Sequence, residues 1–237
     1  MANIPELSLI IPVYNEEETL EDLIKRVYDA EFKFDFEIII VDDGSKDSSR
    51  DIERRLEEEY PNIRVLFNDV NLGKSQTVRR GVLESKGRFV VTQDADLEYE
   101  PAELQEMMDF IREDDLEAVY GNRFGKKNKV IYWQNYWGNK ILSFVSNLFT
   151  YFRLGVWIPD MEVCYKLIRG DIFRSIAENL ESTSNFGLEP ETTARLSKFT
   201  IDGRHVQFGV VPISYYPRSN GTGKEDEGLE GWFEGFG

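Results

Sequence analysis

A chain of 237 residues, 41% hydrophobic and 30% charged, is long enough for one large α/β domain and too apolar to be disordered. Its net charge of −16 repels a phosphate backbone and excludes nucleic acid as the main partner. A single cysteine, Cys164, rules out an internal disulfide and fits a reducing compartment. The start, Met1-Ala-Asn-Ile-Pro-Glu, lacks the basic and apolar regions of a secretory leader. The nearest approach to a spanning helix, Ile141 to Ile158, is interrupted by Ser143, Ser146, Asn147, Thr150 and Arg153. The expectation is work in the cytoplasm, or contact with a membrane from its surface.

In chain order, the first half alternates strand and helix. Leu7 to Val13 is an apolar run of strand length, and Asn15 with Glu18 has capping-box spacing before a helix to about Ala30. Phe36 to Val41 is isoleucine-rich, as a strand covered on both faces should be. Asp42-Asp43-Gly44-Ser45 ends it, and a charged helix runs to about Tyr60, stopped by Pro61. Ile63 to Phe67 reads as a third strand, then a helix from Lys74 to Lys86 with Gly87 as its stop. Phe89 to Thr92 is a fourth strand, Pro101 suits the first turn of the next helix, and Leu116 to Tyr120 is a fifth strand. Such alternation predicts βαβ units and a mostly parallel sheet flanked by helices.

The second half is less regular. Between Val130 and Phe152, Trp133, Trp137, Ile141, Phe144, Leu148 and Phe152 recur three or four apart, as one face of a helix does. A strand near Val163 to Ile168, helices near Asp171 to Leu180 and Pro190 to Lys198, and a strand near Val206 to Ser214 follow. With no repeat or linker, residues 1–220 read as one domain, whose regular and less regular halves meet at about residue 123. The Gly-rich acidic tail, 221–237, is expected to be mobile.

Ligands of such sheets bind at the carboxyl ends of the strands. Carboxylates recur there, and no Gly-x-Gly-x-x-Gly turn follows the first strand, which argues against a dinucleotide or flavin site. Asp94 and Asp96, two apart beyond a buried strand, are placed to share a divalent cation, Mg2+ or Mn2+, with Glu98 as a third oxygen donor. Alone, the same Asp-x-Asp fits an ordinary turn or cap.

The other strand ends decide between these. Leu9-Ile-Ile-Pro-Val-Tyr-Asn-Glu-Glu, Val41-Asp-Asp-Gly-Ser-Lys-Asp, Asn71-Leu-Gly-Lys and Asp94-Ala-Asp resemble, in order, family 2 glycosyltransferases of the GT-A fold. The similarity extends from Leu7 to Lys224 and is nearest the polyprenyl-phosphate branch that includes dolichyl-phosphate mannose synthases. It implies that Pro12, Tyr14, Glu16, Val41 and Asp43 surround a nucleoside and that Lys74 belongs to the nucleotide-sugar site. By the same resemblance Asp94 and Ala95 contact the nucleotide, and Asp96 binds metal with the residue at 98, a glutamine in the family and Glu98 here. Glu16 reads equally well as a first-turn carboxylate favoured by the helix dipole.

Gly121-Asn-Arg-Phe resembles a family segment whose arginine faces phosphate, a task suited to the planar fork of Arg123. Arg218, Gly221 and Lys224 resemble Arg-x-x-Gly-x-Ser-Lys, with Gly223 in place of the serine; Lys224 reads equally well as part of a solvated tail. Asp160 in Asp-Met-Glu-Val-Cys-Tyr-Lys and Glu189 in Phe-Gly-Leu-Glu-Pro-Glu are the candidates for an acceptor-side carboxylate. His205 and Cys164 read as structural.

A basic cluster of Arg123, Lys126, Lys127 and Lys129 precedes the aromatic stretch, a combination that suits an amphipathic interfacial helix. Packing of that stretch on the sheet is the other reading. The expected activity is metal-dependent, inverting transfer of a sugar from a GDP- or UDP-sugar to a lipid phosphate, dolichyl or undecaprenyl. It is peripheral at the cytoplasmic face of a membrane and compatible with a membrane-anchored partner. A soluble glycan or small-molecule acceptor is the alternative. By the resemblance Arg218 and Lys224 neutralise the diphosphate leaving group or the acceptor phosphate, and a non-catalytic nucleotide-sugar-binding module has no use for Arg218 and the Asp94/Asp96 pair.

Overall fold

The computed structural model describes residues 4–126, 128, 133–182 and 187–217, apart from the side chains of 133–137. Seven strands form one sheet: β1 (Leu7–Val13), β2 (Phe36–Asp42), β3 (Ile63–Phe67), β4 (Phe89–Thr92), β5 (Ala118–Asn122), β6 (Lys166–Arg169) and, after the small β7 (Thr200–Ile201) and β8 (Arg204–His205), β9 (Phe208–Pro212). Their order is β3-β2-β1-β4-β6-β5-β9, and only β6 runs against its neighbours. The late strand β6 sits between β4 and β5, so one sheet joins the early and late parts of the chain.

Ile38, Ile39, Ile40 and Val41 are fully buried in β2, as the continuous apolar run requires of a strand covered on both faces. Among the described residues seven helices flank the sheet: α1 (Leu20–Asp29), α2 (Ser49–Glu59), α3 (Lys74–Glu84), α4 (Glu103–Glu113), α5 (Trp133–Leu154), α6 (Gly170–Glu178) and α7 (Leu188–Lys198). On α1, Leu20, Leu23, Ile24 and Val27 make the buried stripe; on α4, Leu104, Met107, Met108 and Ile111 do so. Burial of each such side chain stabilises the fold by about 1.5–3 kcal/mol.

Several boundaries differ from the sequence-based expectation. Asn15 adopts φ 54° and its side-chain oxygen accepts from Lys46 N, so no capping box forms and α1 starts at Leu20. Helix α3 ends at Glu84, before Gly87, whose N–H donates to Ser8 Oγ at 2.8 Å. A Cβ there would come within 2.5 Å of that oxygen, so close approach, not helix termination, demands the glycine. The strand expected from Val163 begins at Lys166. Its amino group donates to Met161 O at 2.6 Å and Val163 O at 2.7 Å, which curls the preceding segment into the site. The β7–β8 hairpin was not foreseen, and His205 is exposed on it.

Glu53, on the inner face of α2, is wholly buried, and among the described residues neither carboxyl oxygen has a hydrogen-bond partner. Burial, reinforced by nearby Asp42 and opposed by Arg50, pushes its pKa up to about 8. A carboxyl whose folded pKa is raised binds its proton more tightly than the unfolded chain does. The stability it allows is full below the ordinary glutamate range and is lost as pH rises through about 8. Glu53→Met should therefore raise the urea midpoint at alkaline pH, by roughly 2–4 kcal/mol of stability, and much less at low pH. An equal change at both pH values would assign the effect to packing alone.

Candidate active site

The carboxyl ends of β1, β2, β4 and β5 bring the motifs together. Pro12 on β1 lies beside Val41 on β2, with Tyr14 and Glu16 just beyond. Glu16 Oε2 accepts from Thr19 Oγ1 at 2.8 Å, and Glu16 N donates to Ser49 Oγ at 2.9 Å. Buried Asp42 builds the turn after β2: it accepts from the N–H groups of Gly44 and Ser45 and from Arg50 Nε at 2.6 Å. Asp43 serves the opposite loop, accepting from Asn68 Nδ2 at 2.9 Å, Leu72 N at 2.8 Å and Gly73 N at 2.9 Å. Gly44, at φ 79°, lets Asn71 approach; a Cβ there would stand 2.9 Å from Asn71 N. Three donors on one carboxylate make Asp43 the clamp that seats Asn71-Leu-Gly at the start of α3.

That loop aims Lys74. Its amino group lies 2.8 Å from Asp94 and 3.5 Å from Glu189 on α7. Burial disfavours the ammonium, but Asp94 and Glu189 more than offset it, and its pKa stands well above the ordinary lysine value. Behind Asp94, Ala95 is buried, and Cys164 Sγ donates to Thr92 O at 3.3 Å, with burial holding the thiol protonated. Gln93 Oε1 accepts from the buried Tyr165 hydroxyl, which anchors the strand end beneath the motif.

Asp94, Asp96 and Glu98 do not converge in this arrangement. Among the described residues no three Asp, Glu, His or Cys side chains enclose a common point. The physical reason is that Lys74 draws Asp94 to one side, while Glu98 Oε2 accepts from the Tyr215 hydroxyl at 2.6 Å. Asp96 Oδ1 caps Glu98 N at 3.1 Å around Leu97, which takes φ 61°. The donor set nonetheless fits a hard divalent cation: carboxylate oxygens only, on one strand-end loop, with the two aspartates two residues apart. Rotation of Asp94 away from Lys74 is what such a cation would require.

On the acceptor side, Arg123 and Asp160 form a forked ion pair, Nε to Oδ2 at 2.7 Å and Nη2 to Oδ1 at 2.8 Å, with Arg123 N adding 3.1 Å to Oδ2. Asn139 Nδ2 donates to Asp160 Oδ1 at 3.0 Å. Burial opposes both charges, yet these bonds lower the Asp160 pKa and raise that of Arg123. Asp160 therefore holds Arg123 in place. The Arg123 guanidinium also lies 5.0 Å from the centre of the Tyr215 ring, so Tyr215 touches both Arg123 and Glu98.

Arg218 and Lys224 lie outside the described residues, as do Lys127 and Lys129. Sequence reasoning passed over Asn139 and Tyr215. Tyr215 lies three residues before Arg218, a signal within reach of the sequence; Asn139, an amide inside an apolar helical pattern, gave one only as a break in that pattern.

Asp160→Asn should leave a buried guanidinium without its counter-ion. Its cost should be about 3 kcal/mol in urea unfolding. Unchanged stability would mean that Arg123 does not depend on this pair.

The comparisons agree with the fold and motifs. The chain is 29% identical over 219 residues to a dolichol-phosphate mannosyltransferase of Pyrococcus furiosus, covering 92% of this chain and 59% of the relative. It is 28% identical over 228 residues to an undecaprenyl-phosphate mannosyltransferase of Micrococcus luteus, covering 94% and 88%. It thus spans about three fifths of the length of the first and most of the second. Its fold matches that of a mannosyltransferase from Pyrobaculum calidifontis in complex with GDP-mannose and Mn2+, a GT-A glycosyltransferase, at a TM-score of 0.60 and 17% identity over 93% of this chain and 59% of that one. The model of glycosyl transferase family 2 matches residues 8–177, and to that family the chain belongs.

Proposed function

We propose that the protein transfers a sugar, with inversion, from a GDP- or UDP-sugar to a polyprenyl phosphate while lying against the cytoplasmic face of a membrane. The observation that carries this reading is the inside-out helix α5. Its polar residues Asn139, Ser143, Asn147 and Thr150 face the protein, whereas Ile141, Phe144, Leu148, Phe149 and Phe152 face outward, Phe149 69% and Phe152 89% exposed. A helix packed on a sheet by its apolar face would have the reverse arrangement. Contiguous exposed apolar surface on this scale marks an interaction site. Among the described residues no helix is long and apolar enough to cross a membrane, so α5 reads as lying along the surface.

The buried polar side joins that surface to the site. Asn147 exchanges hydrogen bonds with Ile158 O and N at 2.7 and 2.8 Å, Ser143 Oγ accepts from Met161 N at 2.9 Å, and Asn139 reaches Asp160. A phosphate held by Arg123 would thus sit next to the helix that meets its lipid tail. The names of the Pyrococcus and Micrococcus relatives, both polyprenyl-phosphate mannosyltransferases, support the same acceptor class. Lys126, ion-paired with Glu103 at 2.6 Å, contributes less to lipid attraction than the sequence suggests.

Pro12, Tyr14, Glu16 and Val41 would line the nucleoside pocket, with Asp43 setting its floor. Asp96, with Asp94 and Glu98, would hold Mg2+ or Mn2+, which when bound neutralises charge on the diphosphate leaving group. Lys74 stands beside Asp94 to bind a donor phosphate, and Arg218 and Lys224 are assigned to the same charge by their place in the motif. Arg123 grips and orients the acceptor. A phosphate monoester is already ionised near neutral pH and needs no strong base. Glu189, turned toward Lys74, orients the lysine rather than deprotonating the acceptor.

Incubation with nucleotide sugars, Mn2+ and a short polyprenyl phosphate should yield a glycosylated lipid phosphate by mass. Product only with a water-soluble acceptor would overturn the reading. Excess chelator, or Asp96→Asn, should remove most turnover without unfolding the protein; full turnover in chelator would sink the metal assignment. Phe149→Glu with Phe152→Glu should reduce vesicle binding and lipid-acceptor turnover together while far-ultraviolet circular dichroism stays unchanged. Vesicle binding that survives both substitutions would move the lipid contact elsewhere.

A further inference from the structure

Glu162 lies between Asp160, which holds Arg123, and Val163, whose carbonyl accepts from Lys166. The residue is half-buried, and its Oε1 is shut off from solvent with no hydrogen-bond partner among the described residues. The charged groups facing it come from three directions: Glu189 on α7, Lys166 at the start of β6, and Arg123 after β5 with its partner Asp160. The described contacts of these groups lead elsewhere. Lys166 Nζ is spent on two carbonyls, the Arg123 fork on Asp160, both Asp160 oxygens on Arg123 and Asn139, and Glu189 faces Lys74. Among the described acceptor-side carboxyl groups, Glu162 is therefore the one carrying a buried oxygen without a partner among the described residues. A buried polar atom in that state costs free energy unless a ligand satisfies it.

We propose that Glu162 is a substrate-binding residue whose carboxyl donates a hydrogen bond to an oxygen of the acceptor phosphate held by Arg123. This rests on the polyprenyl-phosphate reading and adds to it a residue that reads the acceptor's charge. A phosphate brought to Arg123 comes up against Glu162, and two anions there would repel. Protonated, the same carboxyl becomes a donor and the repulsion becomes a bond. The surroundings favour that state already. Burial first, then Glu189, push the Glu162 pKa up to about 7 against the opposing pull of Lys166 and Arg123. A bound dianion raises it further. The proton stays on Glu162 throughout binding; it stabilises the complex and does not activate a nucleophile.

The sign of the pH dependence follows. Acceptor binding needs the protonated form, so KM for the lipid phosphate should rise as pH climbs above neutrality while kcat changes little. The acceptor's own second ionisation, near about pH 6, is complete by then and cannot produce that limb.

The test measures kcat and KM for a short polyprenyl phosphate at saturating donor, from mildly acidic to about pH 9, in wild type, Glu162→Gln and Glu162→Ala. Wild type should lose acceptor kcat/KM about tenfold per pH unit above its apparent pKa. Glu162→Gln keeps a donor at every pH; it should stay within a few-fold of wild type near neutrality and show no alkaline limb. Glu162→Ala should bind acceptor poorly throughout. An alkaline limb that persists in Glu162→Gln overturns the proposal and leaves the lipid acceptor standing. Loss of turnover by more than a hundredfold in Glu162→Gln at every pH would make Glu162 a base and also overturn it. Wild-type protein that glycosylates a hydroxyl acceptor and ignores polyprenyl phosphate would sink the lipid reading and this role with it.

Discussion

A guanidinium removed from water holds its place only where a carboxylate meets it squarely, and the Arg123–Asp160 pair is the contact on which the acceptor side of the protein depends. It ties the carboxyl end of β5 to the segment after α5, and Asn139 on α5 completes it. Buried pairs of this kind add little net stability over well-packed apolar residues, because desolvation consumes most of the attraction. Their value is geometric: the fork fixes the plane of Arg123, and Asn139 fixes the carboxylate that fixes the arginine.

The donor side is organised differently. There the carboxylates hold backbone: Asp42 shapes the turn after β2, and Asp43 gathers three donors, two of them from the loop that launches α3. Carboxylates are concentrated at the Asp94 loop, where Lys74 neutralises one of them. Between the two sides stands Tyr215, with its hydroxyl on Glu98 and its ring against Arg123. The segment after β9 thus touches both Glu98 of the Asp94 loop and Arg123.

The way β6 enters the sheet accounts for this proximity. Running antiparallel between β4 and β5, it brings the 158–166 segment to the carboxyl ends of its parallel neighbours, beside the Asp94 loop and Arg123. Lys166 then curls that segment back by donating to two of its carbonyls, and Glu162 is left with a buried oxygen facing the charged groups of the acceptor side. A late strand inserted in the middle of an early sheet thus turns two halves of a chain into one site.

Periodicity alone determined the strand–helix alternation, the helical stretch from Trp133 onward and the clustering of carboxylates at strand ends, because each depends on residues near one another in the chain. The motifs likewise placed Asp94, Asp96, Arg123 and Asp160 near one site. Tertiary structure alone decided what each does. Only the fold showed that Arg123 and Asn139 engage both oxygens of Asp160 and that Asp43 gathers donors from Asn68, Leu72 and Gly73. The apolar face of α5 had the same spacing whether turned in or out; only the loop at 158–161, by bonding to the polar face, turned Phe149 and Phe152 toward solvent. A residue's type and spacing state what it can bond to, whereas its partners, distant in sequence, determine how much of that capacity remains for a substrate.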